Sequence, residues 1–370
     1  MFQSPYQKID TPALLIDRER MLDNLRWMQE KADRWGVKLR PHTKTHKMPE
    51  LARLQMEHGA CGITVAKVGE AEVMAAHGLR DIFIANEIVG EQKWRRLAKL
   101  SKEIRLLFGV DSPEAVRGIE AVFAAEDAEA LVRIEIETGE NRSGVITEAQ
   151  FDAVLEAIQA APHVTLEGVF SHEGHSYSAP TIEECLALTN RALERTAAFA
   201  NRARAAGFAV GTVYIGSTPS LAHADTLPDG ITELRPGTYI LMDVGQGNCI
   251  GTYDRCAATV LTTIISKPTD ERLIGDAGAK ALTAQSRGAG LCRTEGKGVV
   301  KGSQINVANV YDEHTILYSR RLHEDLSIGD KIEIIPNHIC PVCNLYDQAY
   351  LVSNGEVVQE LEIAARGKLQ

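Results

Sequence analysis

The stretch GVKLRPHTKTHKM (residues 36–48) is a short β-rich run that ends in a cluster of histidines and lysines. Similar β-rich runs recur through the first two thirds of the chain, and stretches with helical patterning lie between most of them. Strands that alternate with helices indicate a parallel sheet. Eight such units predict a (β/α)8 TIM-type barrel, and an open doubly wound sheet is the alternative. The eight runs are Gly36–His42, Gly59–Ala66, Asp81–Ile88, Ile104–Val110, Leu131–Thr138, Val164–His172, Val210–Ser217 and Ile231–Ile240.

The last third of the chain has a different pattern. From about Cys256, β-rich runs follow one another without helical stretches between them, and Asn354-Gly355 between two apolar runs is a hairpin signal. We therefore predict a C-terminal, mostly antiparallel β domain, which the strand-like TPALLIDRE near the N-terminus can join. The expected domains are residues 12–250 for the barrel, and residues 251–370 together with 1–11 for the β domain.

Composition limits the class of protein. The 370 residues carry a formal net charge of -10, which argues against nucleic acid or an anionic membrane surface as a partner. No apolar run is long enough to span a bilayer, and the N-terminus lacks the features of a signal peptide. We expect a cytoplasmic protein whose seven cysteines are mostly buried thiols.

Polar residues follow most of the predicted barrel strands, where barrel enzymes carry their chemistry. The first run ends at the cluster of His42, Lys44, His46 and Lys47. Later runs end in similarly polar stretches, which should gather at one rim of the barrel. These stretches are Asn86-Glu87, ETGENRSG (residues 137–144), SHEGHSY (171–177), GSTPS (216–220) and RPGTYILMD (235–243).

Two of these stretches together suggest a cofactor. GSTPS opens a short helix after the seventh strand, and backbone N–H groups at a helix N-terminus bind phosphate, although a plain helix cap is the alternative. A lysine flanked by cations has a lowered pKa, and its neutral amine can form a Schiff base. Lys44 and GSTPS on one rim therefore suggest pyridoxal phosphate. A solvated basic turn and a site for a substrate anion are the alternatives, and Lys47 is the competing lysine.

Five motifs resemble one family: RPHTKTHK, GITVAKVGEAE, GSTPS, RPGTY and PNHICPVCNLYD. The chain resembles the D-threonine aldolase and eukaryotic-type D-serine dehydratase family, which are fold-type III pyridoxal-phosphate enzymes related to alanine racemase. The resemblance implies an alanine-racemase-like barrel with a β domain, a homodimer with active sites near the interface, and Lys44 as the cofactor lysine. It also implies that the cofactor contacts Arg142, Tyr177, Gly216, Ser217, Thr218 and Tyr239.

The resemblance further implies a divalent metal, held by a His-x-Cys pair in the dehydratases and by a His-x-Asp pair in typical aldolases. This chain has His338-Ile339-Cys340, and on a strand this spacing points both side chains to one face. Imidazole plus thiolate favours zinc, with manganese, magnesium or cobalt as alternatives. Cys343 completes a C-x-x-C that could be a redox pair or half of a structural zinc site, but we expect a buried thiol.

The expected activity is that of a lyase on D-configured 3-hydroxy amino acids, with the metal as a Lewis acid on the 3-hydroxyl group. The His-x-Cys pair favours dehydration to a 2-keto acid and ammonia, with Lys44 as the base. Retro-aldol cleavage to glycine and an aldehyde is the alternative, with His172 or His175 as the base. Racemisation, a non-enzymatic cofactor carrier and a metal-only hydrolase are further alternatives.

Overall fold

The computed structural model describes residues 2–370, and over this range the chain forms two β-sheets and twelve α-helices. The strands are β1 (Ala13–Asp17), β2 (Lys38–Leu39), β3 (Ile63–Val65), β4 (Asp81–Glu87), β5 (Arg105–Val110), β6 (Ala130–Ile136), β7 (Val164–Ser171), β8 (Thr212–Ile215), β9 (Glu233–Leu234), β10 (Ala258–Ser266), β11 (Arg272–Gly275), β12 (Gly298–Val300), β13 (Asn309–Val310), β14 (Thr315–Tyr318), β15 (Lys331–Pro336), β16 (Gln348–Ser353) and β17 (Glu356–Glu362).

Helices cover most of the connections between the strands. They are α1 (Arg18–Arg34), α2 (Pro49–Glu57), α3 (Val68–Ala76), α4 (Glu91–Ser101), α5 (Pro113–Ala125), α6 (Glu148–Gln159), α7 (Ile182–Ala205), α8 (Thr218–His223), α9 (Val244–Ile250), α10 (Ala279–Leu282), α11 (Arg320–Asp325) and α12 (Ile339–Cys343). Short 3-10 turns lie at Thr43–Thr45, Gly174–Ser178 and Thr238–Ile240.

The strands β2 to β9 form the predicted barrel. They pair in parallel in the order β2-β9-β8-β7-β6-β5-β4-β3. A parallel bridge between His42 and Thr64 joins the two ends of this sheet, supported by a hydrogen bond of 2.8 Å from the Thr64 N–H to the Pro41 carbonyl. The ring is therefore closed, which confirms the barrel and excludes the open doubly wound sheet.

Buried apolar residues form the barrel strands, because both faces of a parallel sheet are covered. In β4, for example, Ile82, Phe83 and Ile84 are all fully buried. The eighth strand is much shorter than the predicted run Ile231–Ile240. Pro236 follows it and cannot donate a hydrogen bond to a sheet, so the chain turns away towards Thr238–Ile240.

The amino-terminal end of the barrel is filled by a buried ion-pair network. The fully buried Arg133 pairs with Glu233 at 3.1 Å, and its guanidinium lies 4.8 Å from the Phe83 ring centroid. Arg40 joins the same Glu233 at 3.1 Å. These charges are paired with one another inside the barrel, and barrels of this kind carry their chemistry at the opposite end, where the strands have their carboxyl termini.

The remaining strands form a mostly antiparallel nine-stranded sheet over residues 2–370. The predicted hairpin is present between β16 and β17, and Asn354 and Gly355 have φ values of 51° and 83°, as a tight two-residue turn requires. β1 pairs with β10 and β16, so it joins this sheet although the predicted barrel domain began at residue 12. Within residues 2–370, no helix is long and apolar enough to cross a bilayer.

Candidate active site

A cavity of about 350 Å³ opens at the carboxyl ends of the barrel strands, against the second sheet. This volume lies in the range of small-molecule and cofactor sites. A larger depression of about 1090 Å³ elsewhere on the surface contains none of the predicted site residues. The cavity is lined by His42, Lys44, Thr45, Glu140, His172, Gly174, Tyr177, Ser178, Gly216, Ser217, Thr218, Arg235, Gly237, Thr238, Arg287, His338 and Cys340.

Lys44 is held on the cavity wall by a rigid turn. It lies in the 3-10 turn that follows β2, where the Thr43 hydroxyl donates a hydrogen bond of 3.0 Å to the Thr64 carbonyl. Gly237 packs closely against this turn, since a Cβ there would lie 2.9 Å from the hydroxyl oxygen of Thr45. The backbone of Lys44 is therefore fixed, and its side chain extends into the cavity.

The amine of Lys44 is suited to nucleophilic chemistry. Burial lowers its pKa, and the nearby charges of Arg235 and Arg142 lower it further, against the opposing charge of Cys340. Within residues 2–370, no carboxylate lies within 4 Å of Lys44 Nζ. A lysine that is desolvated and lacks an ion-pair partner has an increased neutral fraction, which is the nucleophilic form.

The other members of the cation cluster have different environments. Lys47 forms a buried ion pair of 2.9 Å with Glu70 and is absent from the cavity wall. His46 is fully buried, and its Nδ1 accepts a hydrogen bond of 3.1 Å from the Met48 N–H. Burial lowers the pKa of His46 to about 4. The structure thus brings only Lys44 and His42 of the cluster to the cavity.

The stretch after β8 lines the same cavity as Lys44 and fits a phosphate group. Gly216, Ser217 and Thr218 line the cavity at the start of α8. Gly216 has a φ of 128°, and a Cβ there would lie 3.2 Å from the Arg235 backbone nitrogen, so the position favours glycine. Small side chains and hydroxyl donors allow a close approach of an anion.

His338 and Cys340 also line the cavity, but they do not lie on a strand as predicted. β15 ends at Pro336, and His338 is the residue that precedes α12. Pro341 explains the difference, because proline cannot donate to a sheet ladder but is tolerated in the first turn of a helix. The turn into α12, rather than alternation along a strand, directs both side chains into the same cavity.

The donor set of this pair fits a divalent metal. Burial lowers the pKa of His338 to about 4, so its imidazole is neutral near pH 7. Its Nδ1 lies 3.1 Å from Gln285 Oε1, an arrangement that fixes the ring and leaves Nε2 available as a ligand. The described residues contain no group of three or more His, Cys, Asp or Glu side chains arranged for a metal. Among the described residues, His338 and Cys340 therefore have no third candidate ligand of these types beside them.

His172 and Tyr177 lie together on the wall beside Lys44, with their ring centroids 6.2 Å apart. Burial and the charges of Arg235 and Lys44 hold the pKa of His172 well below its usual value. Its Nδ1 is buried and has no hydrogen-bond partner among residues 2–370. A neutral imidazole on the cavity wall is a candidate proton acceptor.

Three predicted site residues are absent from the cavity wall. Arg142 is about half exposed and pairs with Glu135 at 3.1 Å, so it lies outside the lining. The hydroxyl of the fully buried Tyr239 accepts a hydrogen bond of 3.1 Å from Gln55. His175 packs over Gly139 instead of facing the cavity. The expected cofactor contacts of Arg142 and Tyr239, and a catalytic base at His175, remain predictions.

Two arginines that line the cavity, Arg235 and Arg287, were not among the predicted site residues. Arg235 is buried at the end of β9, and its guanidinium donates a hydrogen bond to the Ser171 carbonyl. Its position at the start of RPGTY, after a predicted barrel strand, was an available signal. Arg287 lies in the loop between α10 and β12, and its guanidinium is 4.9 Å from the Tyr177 ring centroid. No local pattern marks this loop as part of the site.

Two protein-family models match most of the chain. The model described as alanine racemase, N-terminal domain, matches residues 16–244. The model of a serine dehydratase domain matches residues 257–352.

Individual relatives match over nearly their whole length. The chain is 32% identical to D-threonine aldolase of an Arthrobacter species, over 98% of this chain and 94% of the relative. It is 36% identical to D-threo-3-hydroxyaspartate dehydratase of Delftia sp. HT23, over 90% of this chain and 91% of the relative. The solved structure of that dehydratase superimposes with a TM-score of 0.90 at 31% identity, covering 97% of this chain and 99% of the other. A cysteine-to-alanine mutant of the same dehydratase has been solved in a metal-free form.

Proposed function

Because the chain belongs to the family of alanine-racemase-like, pyridoxal-phosphate-dependent lyases that includes D-threonine aldolases and D-serine dehydratases, we propose that it is a metal-dependent dehydratase of D-3-hydroxy amino acids. The products would be a 2-keto acid and ammonia. Candidate substrates are D-serine, D-threonine and D-threo-3-hydroxyaspartate, and the last is the substrate named for the Delftia relative.

One observation carries this proposal, namely that one cavity joins Lys44 to the His338 and Cys340 pair. The amine of Lys44 has no ion-pair partner, which fits covalent attachment of the cofactor. The imidazole of His338 and the thiol of Cys340, which line the same cavity, fit a metal. A racemase has no evident use for the second pair. A cofactor carrier would need neither the pair nor the second sheet that supports it.

When bound, pyridoxal phosphate supplies an electron sink for charge that develops at the substrate Cα, and the metal polarises the substrate 3-hydroxyl group. The protein residues provide the remaining functions. Ser217 and Thr218 would hold the phosphate, and His338 and Cys340 would hold the metal. The lowered pKa of Lys44 increases the neutral fraction of its amine, so that Nζ would accept the Cα proton. The C3–O bond would then break, and the hydroxyl group would take the proton held on Lys44 Nζ and leave as water. Addition of water to the dehydrated amino acid would release ammonia and the 2-keto acid.

The ligand types favour zinc as the metal, because an imidazole and a thiolate suit it better than they suit magnesium or manganese. We also propose a homodimer, as the family resemblance implies, which sedimentation of the purified protein can test.

Retro-aldol cleavage is the second candidate, and the position of His172 on the cavity wall, with a pKa well below the usual value, favours it. Cleavage needs a base at the 3-hydroxyl group, and the neutral imidazole of His172 can serve in that role. The Arthrobacter relative is a D-threonine aldolase, so both reactions occur among the relatives of this chain.

A product assay separates the two reactions. The purified enzyme, loaded with pyridoxal phosphate and zinc or manganese, is incubated separately with D-serine, D-threonine and D-threo-3-hydroxyaspartate. Ammonia with a 2-keto acid supports the dehydratase, whereas glycine with an aldehyde would replace it by the aldolase. Racemised substrate without either product set would contradict the role of the metal pair.

A further inference from the structure

Arg287 is a cation of the cavity wall to which the proposed reaction assigns no role. No carboxylate oxygen of residues 2–370 lies within 4 Å of its guanidinium, and its buried Nε has no hydrogen-bond partner among these residues. Glu140, the acidic residue of the lining, lies beside Arg142 instead, at 3.7 Å. A partly buried guanidinium without a partner favours the binding of an anion, which satisfies both its charge and its N–H groups.

Two contacts hold the side chain of Arg287 in place. Its guanidinium lies 4.9 Å from the ring centroid of Tyr177, within the range of a cation–π contact. A Cβ at Gly245 would lie 2.8 Å from Arg287 Cδ, so the absence of a side chain there lets the stem of Arg287 pack against α9. The guanidinium therefore has a defined position before a ligand binds, which lowers the entropic cost of binding.

The backbone of the Arg287 loop is fixed as well. The Arg287 N–H donates a hydrogen bond of 2.9 Å to the Thr294 hydroxyl, and the Thr294 N–H donates one of 3.0 Å to the Arg287 carbonyl. Between these two residues, the Leu291 N–H donates a hydrogen bond of 2.8 Å to the Ala179 carbonyl. The loop is thus closed on itself and tied to the barrel, so Arg287 stays at the cavity.

The same loop is joined to the turn that carries the proposed metal ligands. Gln285 Oε1 lies 3.1 Å from His338 Nδ1, and the Asn337 amide donates a hydrogen bond of 3.3 Å to the Gln285 carbonyl. Burial lowers the pKa of His338, and the positive charge of Arg287 lowers it further. Arg287 is therefore a neighbour of the metal pair.

The arginines that act on Lys44 are different ones. After burial, the charges that lower the pKa of Lys44 are those of Arg235 and Arg142, and both arginines belong to the barrel. In the proposed reaction Lys44 accepts a proton from C2 of the substrate, while the metal pair serves the hydroxyl group on C3. Arg287, which comes from the second sheet beside the metal pair, is thus placed to meet a group attached to C3.

We propose that Arg287 binds a carboxylate group attached to C3 of the substrate, so that the enzyme prefers 3-hydroxy-D-aspartate to D-serine and D-threonine. The inference rests on the proposed function, because it takes the positions of C2 and C3 from the roles of Lys44 and the metal pair. A guanidinium presents parallel N–H donors that match the two oxygens of a carboxylate. D-serine has only hydrogen in place of this carboxylate and D-threonine has a methyl group, and neither satisfies the guanidinium.

Two ligands that cannot lose water isolate this contact. D-aspartate and D-asparagine are nearly identical in shape, lack the 3-hydroxyl group and differ in the charge of the group on C3. The dissociation constant of each is measured on the enzyme loaded with cofactor and metal, from the change in cofactor absorbance. The wild type should bind D-aspartate about 10- to 100-fold more tightly than D-asparagine, as expected for a hydrogen bond to a charged group. Arg287→Gln should lose most of this preference, because its amide carries no charge.

Turnover provides an independent measurement. The kcat/KM of Arg287→Gln for 3-hydroxy-D-aspartate should be about 10- to 100-fold below that of the wild type, with the change mainly in KM, because the contact binds a group that does not react. The kcat/KM for D-serine should change little. The metal content of each variant is measured in parallel, so that a disturbed metal pair is recognised.

Arg293→Gln is the matched control, because Arg293 belongs to the same loop but is exposed and absent from the cavity lining. It should keep the wild-type preference for D-aspartate. Arg287→Lys retains the positive charge but not the paired donors, so its preference should lie between those of the wild type and Arg287→Gln.

Equal affinity of the wild type for D-aspartate and D-asparagine would overturn the inference, and this result needs no variant to fold. A preference that survives in folded Arg287→Gln would overturn it as well. So would an equal loss of kcat/KM for D-serine and 3-hydroxy-D-aspartate, since Arg287 would then bind the carboxylate on C2. Failure of the proposed function has a different signature: glycine and an aldehyde as products would replace the dehydratase, while the affinities for the two ligands would still decide the role of Arg287.

Discussion

Replacing Lys47 and Lys44 separately should have opposite consequences, although both lysines belong to the same short cluster. In Lys47→Met, Glu70 loses its only ion-pair partner within the described residues, which is 2.9 Å away. The side chains are 8% and 3% exposed, so water replaces little of the lost interaction. The remaining hydrogen bond from the Ala66 N–H to Glu70 does not neutralise the carboxylate.

Removing one partner of a buried ion pair costs about 3–5 kcal/mol of stability. With a urea m-value of about 3 kcal/mol/M, the unfolding midpoint should fall by roughly 1–1.7 M. The cofactor absorbance should survive in the folded variant, because Lys47 is not on the cavity wall. Lys44→Ala should instead lose that absorbance. Its urea unfolding midpoint should stay within a few tenths of a molar unit of the wild-type value, because removing Lys44 leaves no buried carboxylate without an ion-pair partner.

Urea unfolding followed by circular dichroism, together with the visible spectrum of the loaded protein, measures both effects. The double variant Lys47→Met/Glu70→Gln is the control, because removing both charges is far less destabilising than removing one. Retained absorbance in Lys44→Ala and lost absorbance in folded Lys47→Met would reverse the assignment of the two lysines. An unchanged midpoint in Lys47→Met would refute the argument from the buried pair.

Three further outcomes are expected. Gln285→Leu should weaken metal affinity by about 10–100-fold, because Gln285 orients the His338 ring. Gln285→Glu keeps an oxygen acceptor and should retain the affinity. Equal metal affinities of Gln285→Leu and the wild type in competition titrations would contradict this role. Cys340→Ala should lose the bound metal and lyase activity but keep the cofactor absorbance, and full activity without metal would end the Lewis-acid role. The pKa of His46 is about 4 in the folded protein, below its value of about 6.5 in the unfolded chain. Burial of neutral His46 therefore contributes to the free energy of unfolding above about pH 6.5, and this contribution is lost as the pH falls towards 4. The loss is at most about 3 kcal/mol, and a His46→Gln variant should show a smaller decline in unfolding free energy over that range.

The barrel could be predicted because its strands are buried on both faces and alternate with helices. Those two properties are local, and they appear in the sequence as apolar runs and helical periodicity. The extent of the last strand was wrong because Pro236 and Gly237 end it, which the apolar pattern did not reveal. The strand predicted for His338-Ile339-Cys340 was wrong for a related reason, since Pro341 favours the first turn of α12.

The composition of the site was only partly predictable. Lys44, His172 and Ser217 follow barrel strands directly, so the topology of the fold brings them to one rim. Arg287 reaches the cavity from a loop of the second sheet, and only the tertiary structure shows that contact. Arg142 illustrates the opposite case, because its ion pair with Glu135 holds it off the wall and no local pattern indicates that pairing.

The closure of the barrel has a consequence for the cofactor-loaded protein. The bridge between His42 and Thr64 that seals the ring lies two residues before Lys44, while Ser217 follows a strand elsewhere in the ring. A molecule attached at Lys44 and held at Ser217 would tie the turn after β2 to the start of α8, on one side of that bridge. The same turn contacts the other side, because the Thr43 hydroxyl donates a hydrogen bond to the Thr64 carbonyl. Fixing the turn by loading should therefore slow hydrogen exchange at the Thr64 amide, whose hydrogen bond to Pro41 breaks when the seam opens. The attachment point of the cofactor would thus also help to hold the barrel closed.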